Sequence, residues 1–280
     1  MKLFFPNIFS IILLATAATA CSDEDRTIVS AISATPEGLK PAIDAFQTLL
    51  GDKNNLSLLP NATDFSDTGF RSINWDAEPL PFDFPGNFFV QIVPRGLTVA
   101  SERDSFRVSN PGPEDETVAG DDNKFDSINP EASQEFITFT PPRLFTVLSD
   151  TSFLITFSIP GDGFGEGMPP PNQASVNGFG AVFVDVDEEY TTQMTAFDPD
   201  GCQIFQEYVL PSDGGLSFLG VAFGEGNNHI KTVVITLGNK AIDDMRGHKL
   251  RGSSESKGNN HENGDIVVMD DFFYGEPQPL

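Results

Sequence analysis

The sequence is poor in the residues that most reactive and metal-binding chemistries use. It has two cysteines, three histidines and one tryptophan in 280 residues. His229, His248 and His261 make no H-x-H, H-E-x-x-H or H-x-x-x-H spacing, which removes the sequence case for zinc. There is no G-x-S-x-G elbow, no P-loop, and no G-x-G-x-x-G between a strand and a helix. Gly161-Asp162-Gly163-Phe164-Gly165 opens a Gly/Pro stretch running to Pro171 and reads as a connection. Positive charge is equally scarce. Lys+Arg number 16 against 41 Asp+Glu, a net charge of −25. A surface that negative repels nucleic acid and anionic lipid, and suits an extracellular or cation-binding protein.

What is present begins with a leader. Residues 1–20 have a positive Lys2, an apolar run from Ile8 to Leu14, and Ala18-Thr19-Ala20 as an A-x-A cleavage site. The run is too short for a membrane span. The expected mature chain starts at Cys21, and loss of Lys2 takes its charge to −26. Export permits a disulfide between Cys21 and Cys202. The alternative is lipid anchoring at Cys21, although Ala18 stands where a lipobox has Leu. Asn55-Leu56-Ser57 and Asn61-Ala62-Thr63 are glycosylation sequons, meaningful only in a eukaryotic secretory route.

Hydrophobic content of 39% with 26 Phe is ample for a large core. One helix is expected. Thr35-Pro36 supplies a cap and a first-turn proline, and Gly51 a stop. Pro41 offers a second start point. Leu39, Ile43, Phe46 and Leu50 fall on one face. After residue 60 the pattern becomes short β-branched and aromatic runs between Gly, Pro, Asn and Asp. Strands are expected at 88–93, 105–108, 135–139, 153–159, 181–186, 191–197, 204–210, 216–223, 230–237 and 266–274. With no second amphipathic helix to cross over, this is an all-β, jelly-roll-like β-sandwich with one N-terminal amphipathic helix. The expected divisions are a signal peptide over 1–20, a helical segment packed on the sheet over 21–60, and a β-sandwich domain over 61–280. A polar loop at 238–264 carries the only basic cluster: Lys240, Arg246, His248, Lys249, Arg251 and Lys257. It reads as a mobile insertion or a dock for an anionic glycan.

Carboxylates are the informative constellation. In Ala181–Asp187, strict alternation puts Val182, Val184 and Val186 on one face. Asp185 and Asp187 then share the other, roughly 7 Å apart. Val267-Val268-Met269-Asp270-Asp271-Phe272-Phe273 reads as a closing strand whose aspartates point to opposite faces. Asp271, in register with Met269 and Phe273, is expected to face inward, where a bare carboxylate is costly. The expected metal residues are therefore Asp185, Asp187 and Asp271, around a Ca²⁺ ion that takes oxygen ligands. Water-facing or capping aspartates are the plain alternative. Paired carboxylates also serve glycoside hydrolysis, but in so acidic a chain some pair at a suitable distance arises by chance. Trp75 is expected in the core, paired with Ile73, rather than exposed for stacking on a sugar.

The order of helix, Gly69-Phe70-Arg71-Ser72-Ile73-Asn74-Trp75-Asp76, Phe88-Phe89, Arg95-Gly96, Gly178–Asp187, Ser217–Val221 and Val267–Pro277 resembles a family of uncharacterised secreted proteins widespread in bacteria. The resemblance spans roughly residues 36–277 and implies no activity. This chain departs from it at Ala77, where the Trp-Asp turn is expected to continue with Gly, and in the 238–264 loop. The closing strand with paired Asp is also similar to that of jelly-roll carbohydrate-binding modules, some with a structural Ca²⁺, a likeness of fold alone. The sequence thus leads to the expectation of a secreted, non-catalytic glycan or cell-surface binding protein, with cell-wall polysaccharide as partner and no nucleic acid or membrane span. The alternatives are a polysaccharide-cleaving enzyme using carboxylates and a structural surface protein.

Overall fold

A computed structural model of the chain describes residues 25–55, 68–76, 80–109, 124–165, 167–224, 226–244 and 264–280. The first strand, β1 (Thr27–Ser33), is followed by helix α1 (Pro36–Leu50) and β2 (Phe70–Ile73). Next come β3 (Asp83–Phe84), a one-turn helix α2 (Phe88–Gln91), β4 (Leu97–Ala100) and β5 (Phe106–Val108). A 3₁₀ turn (Ala132–Gln134) precedes β6 (Phe145–Val147), β7 (Ser152–Ser158), β8 (Gln173–Ser175) and β9 (Gly178–Val186). The chain closes with β10 (Gln193–Phe197), β11 (Gln203–Tyr208), β12 (Ser212–Ala222), β13 (Thr232–Thr236), β14 (Val268–Gly275) and β15 (Gln278–Pro279).

Two antiparallel sheets result. The first runs β1-β12-β9-β14-β6-β5-β3, with β2 also on β14. The second runs β11-β10-β13-β7-β8-β15, with β4 also on β7. From β9 onward the chain passes repeatedly between the sheets, the crossing expected of a jelly-roll-like all-β sandwich. The core between them is aromatic. Trp75 stacks on Phe145 at 4.2 Å and meets Phe272 edge-on at 4.9 Å.

The first sheet is covered on both faces, so β9 and β14 are buried along their whole length. Leu39, Ile43, Phe46 and Leu50 of α1 lie on its outer face, against Val182, Val184, Phe218 and Val268. This is the stripe read from the sequence. Its ends match too: the Thr35 hydroxyl caps Gly38 N–H, and Gly51 closes the helix at φ +121°. Burying four such side chains stabilises by roughly 6–10 kcal/mol before entropy. The helix comes close because glycines lie beneath it. Gly180 and Gly220 are cross-strand partners on β9 and β12. A Cβ on either would stand 2.7 Å from the Phe46 ring.

Several expectations are corrected. Phe88–Val93 is not a strand: Phe88, Phe89 and Val90 are all buried in α2, and an unbroken apolar run cannot distinguish a buried turn of helix from a strand. Residues 135–139 follow the 3₁₀ turn and join no strand. The N-terminal segment is not purely helical, since β1 pairs with β12. Trp75 is buried, as expected, but at φ +65° just beyond β2. Asn55 is also buried, and its amide donates to Thr68 O and to Glu276, so that sequon is no glycan acceptor. Cys202 is disulfide-bonded, while Cys21, the leader and the second sequon lie outside the described residues. So do Ala77 and, in the polar loop, all its basic residues except Lys240. No helix among the described residues is long and apolar enough to cross a membrane.

Candidate metal centre

Asp185 stands where β9 stops alternating. Its φ is +64°, a left-handed conformation that aspartate tolerates. Opposite it, the β12 register jumps from Leu216 to Ser212. Val182 and Val184 therefore face the helix layer, while Val186 turns into the inter-sheet core. The three valines do not share a face, and the expected alternation fails at this residue. The kink nevertheless brings Asp185 and Asp187 together. Glu135, just past the 3₁₀ turn, reaches the same point, and one carboxylate oxygen from each of the three lies within 4.8 Å of the others.

The site is graded from inside to outside. Asp185 is 3% exposed, Asp187 is half-buried and Glu135 is exposed. Asp185 accepts the Gly214 N–H at 2.8 Å. The buried Asp187 Oδ1 receives no hydrogen bond from the protein. Behind them, Asp265 orders the turn after β9, accepting Asp187 N–H at 3.2 Å and the Thr191 hydroxyl. Asn239 Oδ1 fixes Asp265 in turn through its N–H, at 2.8 Å.

The electrostatics follow from burial and crowding. Burial raises Asp185 to about 7; the Gly214 N–H opposes this, and the charges of Asp187 and Glu135 add to it. Burial raises Asp187 to about 6, with Asp265 and Asp213 adding to it. Asp265 is also raised, chiefly by burial. The charged groups that act most strongly on all three are carboxylates. Such a group takes up a proton or a hard cation, which oxygen donors satisfy. The arrangement can hold a metal ion, with water completing the shell on the Glu135 side.

Asp271 is not part of this trio. A bulge in β14 between Met269 and Phe272 holds both Asp270 and Asp271. Met269 and Phe272 face the inter-sheet core, and Val268 and Phe273 the helix layer. The assumed register of Asp271 with Met269 and Phe273 is thus wrong. Both aspartates are buried, at 0% and 6% exposure, rather than pointing to opposite faces. Asp270 accepts Phe139 N–H at 2.6 Å and Thr140 N–H at 3.3 Å; Asp271 accepts the Thr140 hydroxyl at 2.9 Å. Burial, together with the charge of Asp271, pushes Asp270 well above the carboxylate range. Burial raises Asp271 to about 6 against its bonds to Asp270 and Thr140. Glu135 is the residue that sequence reasoning missed. It is contributed from a distant segment, and nothing local marks it.

Other prominent residues prove to be architectural. Arg71 forms two 2.8 Å bonds to Glu276, both fully buried, with the Asn55 amide on the same carboxylate at 2.9 Å. Trp75 Nε1 donates to the Asp270 carbonyl at 2.8 Å. No protein-family model, curated protein or solved structure matches the chain.

Proposed function

We propose that this is an exported, non-catalytic binding protein for glycan or cell-surface material, whose sandwich is clamped by a calcium ion at Glu135, Asp185 and Asp187. One observation carries the reading: three carboxylates converge at the junction of β9 with the segment covering its sheet, surrounded by further carboxylates. A cation there relieves the repulsion and ties Glu135 to β9. The exposed side of the site leaves room for water, and three protein carboxylates suit calcium, which takes six to eight oxygens in flexible geometry, better than magnesium, which is held by one or two carboxylates and keeps several waters. The carboxylate-enzyme alternative is served less well. Asp185, the group that titrates nearest neutrality, is almost fully buried and held by Gly214 N–H, away from any substrate. Export is supported by the leader pattern of residues 1–20.

The test uses one purified preparation. Melting curves in millimolar Ca²⁺ and in EDTA are compared, with Mg²⁺ as control, and the same protein is incubated with polysaccharides and assayed for reducing ends. Calcium is expected to raise the Tm by several degrees, equivalent to about 2.7 kcal/mol at a hundredfold excess over Kd. Asp185→Asn is expected to abolish the effect, and no reducing ends should appear. Release of sugar would reverse the choice between binding protein and enzyme.

A further inference from the structure

Among the described residues, the outward face of five of the second sheet's seven strands carries no charged side chain. On each of these five, the residues that alternate with the core side chains form three cross-strand rows. One row runs Thr98, Thr156, Thr232, Phe197, Gln203. The next runs Ala100, Leu154, Val234, Thr195, Gln206. The third is Ser152, Thr236, Gln193, Tyr208. On this face five adjacent strands (β4, β7, β13, β10 and β11) thus present hydroxyls, amides, aliphatic groups and rings, on a chain of net charge −25; the one charged residue within these strands, the exposed Glu207 of edge strand β11, stands in the register of core-facing Met194. Exposed sheet faces are ordinarily dressed with charge. Here the charged residues Asp150, Asp198 and Asp200 sit in the turns beyond the strand ends.

One end of the face holds an aromatic pair. Tyr190 is 70% exposed and Tyr208 44%, with ring centroids 5.2 Å apart and planes nearly perpendicular. Tyr190 is held at φ +68°, an uncommon conformation for a bulky residue and one that tends to accompany functional sites. It lies three residues after Asp187, so the turn ordered by the carboxylate cluster also carries the exposed ring. Leu154 adds an exposed aliphatic group to the middle row.

We infer that this face binds a neutral polysaccharide, with the ring of Tyr190 as its stacking surface and Tyr208 holding that ring edge-on. The proposal rests on the glycan reading above and gives it a surface and a ligand charge. The absence of charge selects against anionic and cationic polymers alike. Hydroxyl and amide side chains both donate and accept, as sugar hydroxyls do. The apolar row and the Tyr190 ring match the C–H faces of hexoses. Strands spaced roughly 4.8 Å apart, with rows roughly 6.8 Å apart along them, form a regular flat lattice suited to an extended, repeating ligand.

The test is co-sedimentation of the full chain with insoluble cellulose, chitin and β-1,3-glucan, and affinity electrophoresis in soluble mannan and xylan. Wild type is compared with Tyr190→Ala, Tyr208→Ala and Thr156→Glu, each checked for an unchanged melting curve. Tyr190→Ala removes a side chain that is mostly in water, so it keeps the test valid if the others unfold. Binding by wild type to at least one polymer, weakened at least tenfold by Tyr190→Ala, is expected. Wild-type binding that survives all folded variants would overturn the face while leaving the glycan reading standing. No binding to any polymer would overturn both. A wild-type dimer that Thr156→Glu dissociates would make this face an interface between copies and would overturn the proposal.

Discussion

At the residue scale, the proposed cation would compete with protons for the same oxygens. Asp185, Asp187 and Asp271 titrate near 7, 6 and 6 in the folded protein, against an ordinary value of 3.8. A raised acid binds protons more tightly in the folded than in the unfolded chain, so its contribution to stability is full at low pH and is lost as pH rises through its folded value. Without divalent cation, the Tm should therefore fall between about pH 4 and pH 7, which a series of melts in EDTA measures. Calcium should restore more stability at pH 8 than at pH 5. Asp185→Asn should flatten part of the slope, leaving the share that Asp187, Asp265, Asp270 and Asp271 contribute. The buried Arg71–Glu276 pair makes a second prediction. Removing one partner strands a charge, so Arg71→Met should cost about 3–5 kcal/mol by urea unfolding. A loss below about 1 kcal/mol would show that water reaches Glu276.

At the element scale, the docking of α1 on a glycine-floored sheet decides how the three layers fit. Gly220→Ala would drive a methyl group into Phe46, at an expected cost of about 1–3 kcal/mol. Phe46→Ala opens a cavity instead, at about 3–5 kcal/mol. The two should be non-additive in a double-mutant cycle, because the added methyl fills part of the space left by the ring. This helix was legible in the sequence because its cap, stop and 3.6-residue stripe all agree. β9 and β14 were legible as strands but not in their facing. They are buried on both sides, so hydrophobicity carries no period-2 signal, and the kink at Asp185 leaves no local trace. Val268-Met269 and Phe272-Phe273 flanking two aspartates already conflict with strict alternation, the one hint available. β4, β6 and β8 are three or four residues long, too short for periodicity to register.

At the scale of the whole molecule, the sequence classed the protein correctly as an all-β sandwich with one helix, because strand recurrence without crossover helices leaves few other architectures. The candidate metal site was half legible. Asp185 and Asp187 stand two apart at the end of β9, but Glu135 joins them only through tertiary folding, and Asp271 is diverted by its bulge to the Thr140 hydroxyl. The account's central claim is that Glu135, Asp185 and Asp187 form one cation site that ties the segment over the first sheet to β9. Calorimetric titration of Ca²⁺ into the EDTA-stripped full chain at pH 7.5 tests this most directly, run beside Glu135→Gln and Asp271→Asn. The account predicts saturable binding to one site, with protons released, lost in Glu135→Gln and kept in Asp271→Asn. No binding heat in wild type, with melts in Ca²⁺ and EDTA that coincide, would contradict it.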